Sequence, residues 1–139
     1  MKLVKTILLS FIAIAVLSTS SCKKSEGEGG KATITGKIWI KKYMVNNTGT
    51  GTIVYSGEYA GAYEDVYIIY GDDATYGERI ETNGNGVYEF KYLRLGSYKI
   101  YAYSSGPSLN AINRVAVMKE VEITEKKQTV DAGKIEIAK

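Results

Sequence analysis

The stretch Glu81–Tyr103, ETNGNGVYEFKYLRLGSYKIYAY, contains two strand-like runs, each with a turn signal before it. Asn83-Gly84-Asn85-Gly86 is the first turn and reads as a hairpin turn, because Gly, and Asn more reluctantly, tolerate the positive φ that tight hairpin turns demand. Tyr88 and Phe90 then alternate with Glu89 and Lys91, the period of two that marks a half-buried strand. Leu93-Arg94-Leu95-Gly96 closes that run and reverses the chain. Tyr98, Ile100 and Ala102 alternate with Lys99 and Tyr101 in the next run. Both alternations predict that Tyr88, Phe90 and Tyr98 point into a core.

The same period extends in both directions. Upstream, Ile34, Gly36, Ile38 and Ile40 alternate with Thr33, Thr35, Lys37 and Trp39, which predicts a long first strand over Ala32–Tyr43. A turn-rich loop follows at Asn46–Gly51, then a short strand at Thr52–Tyr55. Ser56–Glu64, rich in Gly and Tyr, reads as irregular. Asp65–Tyr70 is apolar and β-branched and reads as a central strand. Gly71–Gly77 reads as a loop and Arg79–Thr82 as a short strand. Ser104–Asn113, with the single proline Pro107, is a second long loop. Val115–Thr124 and Thr129–Ile137 are expected to pair with each other through Glu125-Lys126-Lys127. Short strands separated by turn signals, with no sustained helical period, predict an all-β sandwich.

The run from Thr82 to Ile100 resembles a motif of the carboxypeptidase regulatory-like domains, which are related to the collagen-adhesin B-type repeats among the transthyretin-like β-sandwiches. Thr82, Gly86, Tyr88, Phe90, Leu93, Gly96, Tyr98 and Ile100 carry the resemblance, with Asn83 where an Asp is common. It implies a single antiparallel Greek-key sandwich of about seven strands over Lys31–Lys139. It also implies a non-catalytic structural or binding role.

Met1–Ser21 reads as a targeting leader. Lys2 and Lys5 form a positive start, and Ile7–Leu17 is an apolar run too short for a spanning helix of about 20 residues. Directly after it stands Cys22, the only cysteine. That placement resembles a bacterial lipobox, with Thr19 where Leu is usual, and implies acylation of Cys22. The alternative is an ordinary secretory signal followed by a stray thiol. Acyl chains contribute about 0.8 kcal/mol per buried CH₂, so a lipidated Cys22 would hold the chain on a bilayer without crossing it. Lys23–Gly30, KKSEGEGG, lacks apolar side chains and reads as a tether, Glu26 and Glu28 being also compatible with a surface-export signal. The expected location is the outer membrane of a Gram-negative envelope, facing periplasm or cell surface.

The formal charge of +3 includes Lys2 and Lys5, so the mature chain is close to neutral and has no basic stripe for nucleic acid. With no histidine and no second cysteine, the usual nucleophile–base pairs and zinc sites have no ligands. Asp65, Asp72, Asp73 and Glu78 read as solvated loop acids rather than a facing catalytic pair. Asp72, Asp73, Glu78, Asn83 and Asn85 supply oxygen ligands without a calcium-loop spacing. Lys37 and Asp131 are the one pair positioned for the isopeptide crosslink found in some collagen-adhesin-type domains, but Lys37 lies on the face opposite Ile34 and Ile38. Asn46-Asn47-Thr48 fits a glycosylation sequon that a bacterial lipoprotein would rarely use. No cofactor or metal is expected.

The compositional oddity is tyrosine, with twelve in the chain. Tyrosine joins an apolar ring to a polar tip and suits binding surfaces. Tyr55, Tyr59, Tyr63 and Tyr76 lie in or beside loops and are the candidate recognition residues. Tyr101 and Tyr103, opposite the core face, are candidates for a sheet-surface patch. The expected function is a non-enzymatic envelope lipoprotein that binds a protein partner or serves structurally. The alternative is a glycan-binding accessory protein using the loop tyrosines.

Overall fold

The structure, a computed structural model, describes residues 25–46, 49, 51–105 and 113–139. The leader, Cys22, Asn47, Thr48 and Pro107 lie outside the described residues. The described chain is all β, in eight strands: β1 (Glu28–Val45), β2 (Ile53–Ala60), β3 (Asp65–Tyr70), β4 (Glu78–Glu81), β5 (Val87–Leu93), β6 (Gly96–Ser105), β7 (Arg114–Ile123) and β8 (Thr129–Ala138).

The strands form two four-stranded sheets. One is built on β1, which is long enough to pair with three strands. β8 runs along one flank of β1, from Thr33↔Thr129 to Lys41↔Ala138. On the other flank β5 pairs as far as Lys37↔Val87, and β2 takes over from Trp39↔Ala60. At the seam, Ile38 donates its N–H to the Gly86 carbonyl (2.8 Å) and accepts from Gly61 N–H (2.9 Å). The second sheet has the order β4-β3-β6-β7. All pairings are antiparallel except β1 with β8, which is parallel.

The core fills the space between the sheets. Ile34, Ile38 and Ile40 of β1, Tyr88, Phe90 and Leu93 of β5, and Ile135 and Ile137 of β8 face Val66, Ile68, Tyr98, Ile100, Val121 and Ile123. Tyr88, Phe90 and Tyr98 are thus buried as their alternation predicts. Thr82 is buried as well. Its hydroxyl donates to the Gly61 carbonyl (2.6 Å) and accepts from Glu64 N–H (2.9 Å), tying the β2–β3 loop to the end of β4.

Four sequence expectations are corrected. Asn83–Gly86 and Arg94–Leu95 are turns, but they do not close hairpins: each carries the chain from one sheet to the other. Turn chemistry is local, with Asn83 Oδ1 accepting from Asn85 N–H (2.9 Å) and Val87 N–H (3.1 Å), so it reverses the chain without choosing the next partner. β7 and β8 likewise belong to different sheets rather than pairing. The region read as irregular at Ser56–Glu64 is strand as far as Ala60, because β1 offers it an edge. Finally, β1 begins at Glu28 rather than Ala32, and the chain is already held at Gly27, inside the expected tether.

That last contact is a strap across the end of the sandwich. Gly27 is buried, its N–H donating to the Tyr98 hydroxyl (3.1 Å). The Gly27 carbonyl accepts from Arg94 N–H (2.9 Å), and the Tyr98 hydroxyl donates to the Arg94 carbonyl (2.8 Å). Arg94 Nη1 also donates to the Ser25 carbonyl (3.3 Å). A buried tyrosine hydroxyl usually takes a hydrogen-bond partner, and Tyr98 finds its partners in the backbone of Gly27 and Arg94.

Candidate functional surface

Antiparallel partners share a face, so sheet register assembles surfaces from residues distant in sequence. On the outer face of the second sheet one row reads Arg79–Tyr67–Tyr101–Met118 across β4, β3, β6 and β7. The next row on that face holds Tyr103 opposite Ala116. Tyr67 and Tyr101 stack face to face, with centroids 4.9 Å apart and an interplanar angle of 11°. Tyr103 meets both of them edge to face, at 5.6 Å and 5.5 Å. Tyr76 folds back from the β3–β4 loop to meet Tyr67 edge to face at 5.1 Å.

The inner members brace the outer ones. Tyr101 is 8% exposed, while Tyr76, Tyr103 and Met118 are 50%, 39% and 46% exposed. Arg79 bridges Asp65 beside the cluster (2.7 Å). Burial, then the hydrogen bond and charge of Tyr103, raise the Tyr101 hydroxyl from 10.0 to about 12. Burial also raises Tyr67, with the Asp65 carboxylate adding to it. The Tyr101 hydroxyl of the unfolded chain ionises near 10 and that of the folded chain only near 12. The contribution is therefore complete below pH 10 and is lost as pH rises through about 12. Alkaline titration of unfolding should show stability falling across that window, and Tyr101→Phe should reduce the fall. An identical pH dependence in the variant would refute the assignment.

The loop tyrosines do not converge. Tyr55, Tyr59, Tyr63 and Tyr76 are all exposed. Tyr76 alone joins the face just described. Tyr55 pairs with Tyr43 and meets its ring edge to face at 5.9 Å. Tyr59 lies opposite Ile40, and a bulge at Lys42/Tyr43 puts it on the other face of β2 from Tyr55. Tyr63 stands alone at φ 57°, its N–H bonded to the Thr82 carbonyl. The residue that the loop reading missed is Tyr67. Its signal was the alternation Val66-Tyr67-Ile68, which places the ring outward within a strand otherwise read only as apolar.

The remaining candidates are engaged or dispersed. Lys37 is opposite Lys134, with both ammonium groups over the Trp39 ring at 5.4 Å and 4.5 Å, while Asp131 is opposite Thr35 and accepts from Gly133 N–H (2.8 Å). The isopeptide pair is therefore not brought together. Asp72 bonds Lys99 (3.3 Å), and β4 separates the Asp72 loop from Asn83 and Asn85. Among the described residues no group of His, Cys, Asp or Glu is arranged to hold a metal ion.

No family model matches the chain, and no curated protein matches it. Among solved structures, a Pseudomonas aeruginosa protein described provisionally as carbohydrate binding is similar, at 13% identity over 81% of this chain and 91% of that one, with a TM-score of 0.42. A likeness this loose says nothing of what this chain binds.

Proposed function

We propose that the chain is a non-enzymatic, membrane-anchored envelope lipoprotein with a transthyretin-like Greek-key module, and that its outer tyrosine face binds a protein partner. The observation that carries the reading is the row Arg79–Tyr67–Tyr101–Met118 with Tyr76 and Tyr103 around it. Aromatic residues, Met and Arg are the types enriched at protein interfaces. Two rings braced from beneath lose little conformational freedom on binding. The lipid anchor is supported by the leader that ends at Cys22. The glycan reading keeps one specific support, the exposed Tyr76 and Tyr103 rings, since aromatic faces also stack on sugars.

Photo-crosslinking in intact cells tests both. A crosslinking residue at Met118 or Tyr103 should give a discrete protein adduct, and one at Asn85 should not. With the crosslinker at Met118, replacing Tyr76 and Tyr103 together by Ser should remove the adduct. At about 1 kcal/mol per ring beyond area burial, binding should weaken at least tenfold while the fold is retained. Binding to purified envelope polysaccharide that depends on the same residues, with no protein adduct, would replace this reading by the glycan one. The anchor is tested by Cys22→Ala, which should release the protein from the membrane fraction or leave it unprocessed.

A further inference from the structure

We infer that the end of the sandwich carrying the strap is a membrane-contact surface, with Tyr92 and Leu95 seated in the bilayer interface. The inference rests on the lipid anchor at Cys22 proposed above. The first observation is the shortness of the leash. Ser25 is three residues beyond Cys22 and is already bonded to Arg94. A fully extended chain spans at most about 3.6 Å per residue, so the strap lies within about 11 Å of the lipidated residue. The polar interfacial layer is itself about 5–7 Å deep on each side of the bilayer. A domain held that closely has its strap end against the lipid.

The second observation is what that end displays. The strap crosses the β5–β6 turn, where Glu28 is opposite Leu93 and the Arg94 guanidinium lies against Gly29. Here Tyr92, at the end of β5, is 70% exposed and Leu95, on the turn, is 42% exposed. Tyr92 borders a shallow hollow with Glu28 and Gly29, so the ring stands beside the strap itself. It also holds φ at 60°, which is uncommon for a bulky side chain, and the alternation of β5 breaks there, with Tyr92 exposed and Leu93 buried. Tyrosine is the type that settles at headgroup level, with its ring toward the acyl chains and its hydroxyl in water.

Charge does not drive the contact. Lys91 and Arg94, with Lys23 and Lys24 of the leash, are matched by Glu26, Glu28, Glu78 and Glu89, so this end carries no net basic patch. The occupant is a bilayer entered by an aromatic ring and a leucine, and the contact should be insensitive to salt.

Single-thiol labelling of the full chain tests this. Once Cys22 is acylated no other thiol remains, so Tyr92→Cys, Leu95→Cys and Asn85→Cys each carry one labelling site. Asn85 lies at the opposite end of β5, seven residues or more away along the strand. The lipidated proteins are reconstituted into phosphatidylethanolamine–phosphatidylglycerol vesicles containing a nitroxide lipid. A polarity-sensitive fluorophore at 92 and 95 should be blue-shifted and quenched several-fold more than at 85, in low and in high salt. Equal quenching at all three sites, in protein that sediments with the vesicles, would overturn the membrane contact and leave the anchor standing. Quenching lost in high salt would overturn the insertion. Protein that fails to sediment would overturn the anchor and this surface together.

Discussion

Phe90→Ala is expected to lower the free energy of unfolding by about 3–5 kcal/mol. Phe90 is wholly buried, opposite Ile34 in the β1 sheet, with its ring 6.0 Å from that of Tyr88. Truncation removes the ring's transfer free energy and leaves a cavity between two sheets. Neither sheet can close on it freely, because β1 is tied to strands on both flanks. A domain of this kind has only about 5–15 kcal/mol in total. Chemical denaturation should show a large fall in midpoint with the slope kept. A midpoint unchanged in the variant would mean that Phe90 does not fill the core.

Gly86→Ala should cost a comparable amount by a different route. Gly86 holds φ at 75°, which strains any residue with a Cβ. An added Cβ would sit 2.8 Å from the Ile38 carbonyl oxygen and 2.9 Å from the Gly61 nitrogen. Those atoms bond to each other across the seam where β5 hands over to β2, so neither can yield without loss of a ladder bond. Backbone strain of about 1–3 kcal/mol adds to overpacking of about 1–3 kcal/mol. Thermal unfolding of Gly86→Ala should shift downward by many degrees. The same substitution at Gly57, which also has positive φ but has nothing within 4 Å of the added Cβ, should cost much less. Equal losses at the two positions would show that the seam contact is immaterial.

What the sequence made legible was most of what has a period of two; at Tyr92, in phase with Tyr88 and Phe90, a positive φ shifts the pattern and buries Leu93 instead. The inward set Ile34, Ile38, Tyr88, Phe90, Tyr98 and Ile100 follows from alternation together with the motif that Tyr88, Phe90 and Tyr98 share with the family they resemble, and the outward placing of Tyr101 and Tyr103 follows with it. Partnership was not legible. The Asn83–Gly86 turn looks the same whether the next strand joins the same sheet or the facing one. β2 has almost no buried residue, so its strand character comes from the edge that β1 lends it. The tyrosine face was half visible for the same reason: Tyr101 and Tyr103 lie on one strand, but Tyr67 and Tyr76 reach them only through pairing of β3 with β6. The strap was hidden because Gly27 contributes no side chain; its value lies in the backbone groups it offers to Tyr98 and Arg94.

The continuous course of β1 has a mechanical consequence. If Cys22 is fixed in a membrane and a partner pulls on the tyrosine face, the load enters at the strap, where Ser25 and Gly27 are bonded to Arg94 and Tyr98, and beyond it runs lengthwise along β1. The bonds to β8 and to β5 lie across that direction. They would be strained together, in shear, rather than opened one at a time from an end. Peeling would begin if force were applied sideways to β2, β5 or β8, each of which pairs with β1 alone among the described strands. A sandwich loaded in this way bears tension along β1, and its weak direction is sideways.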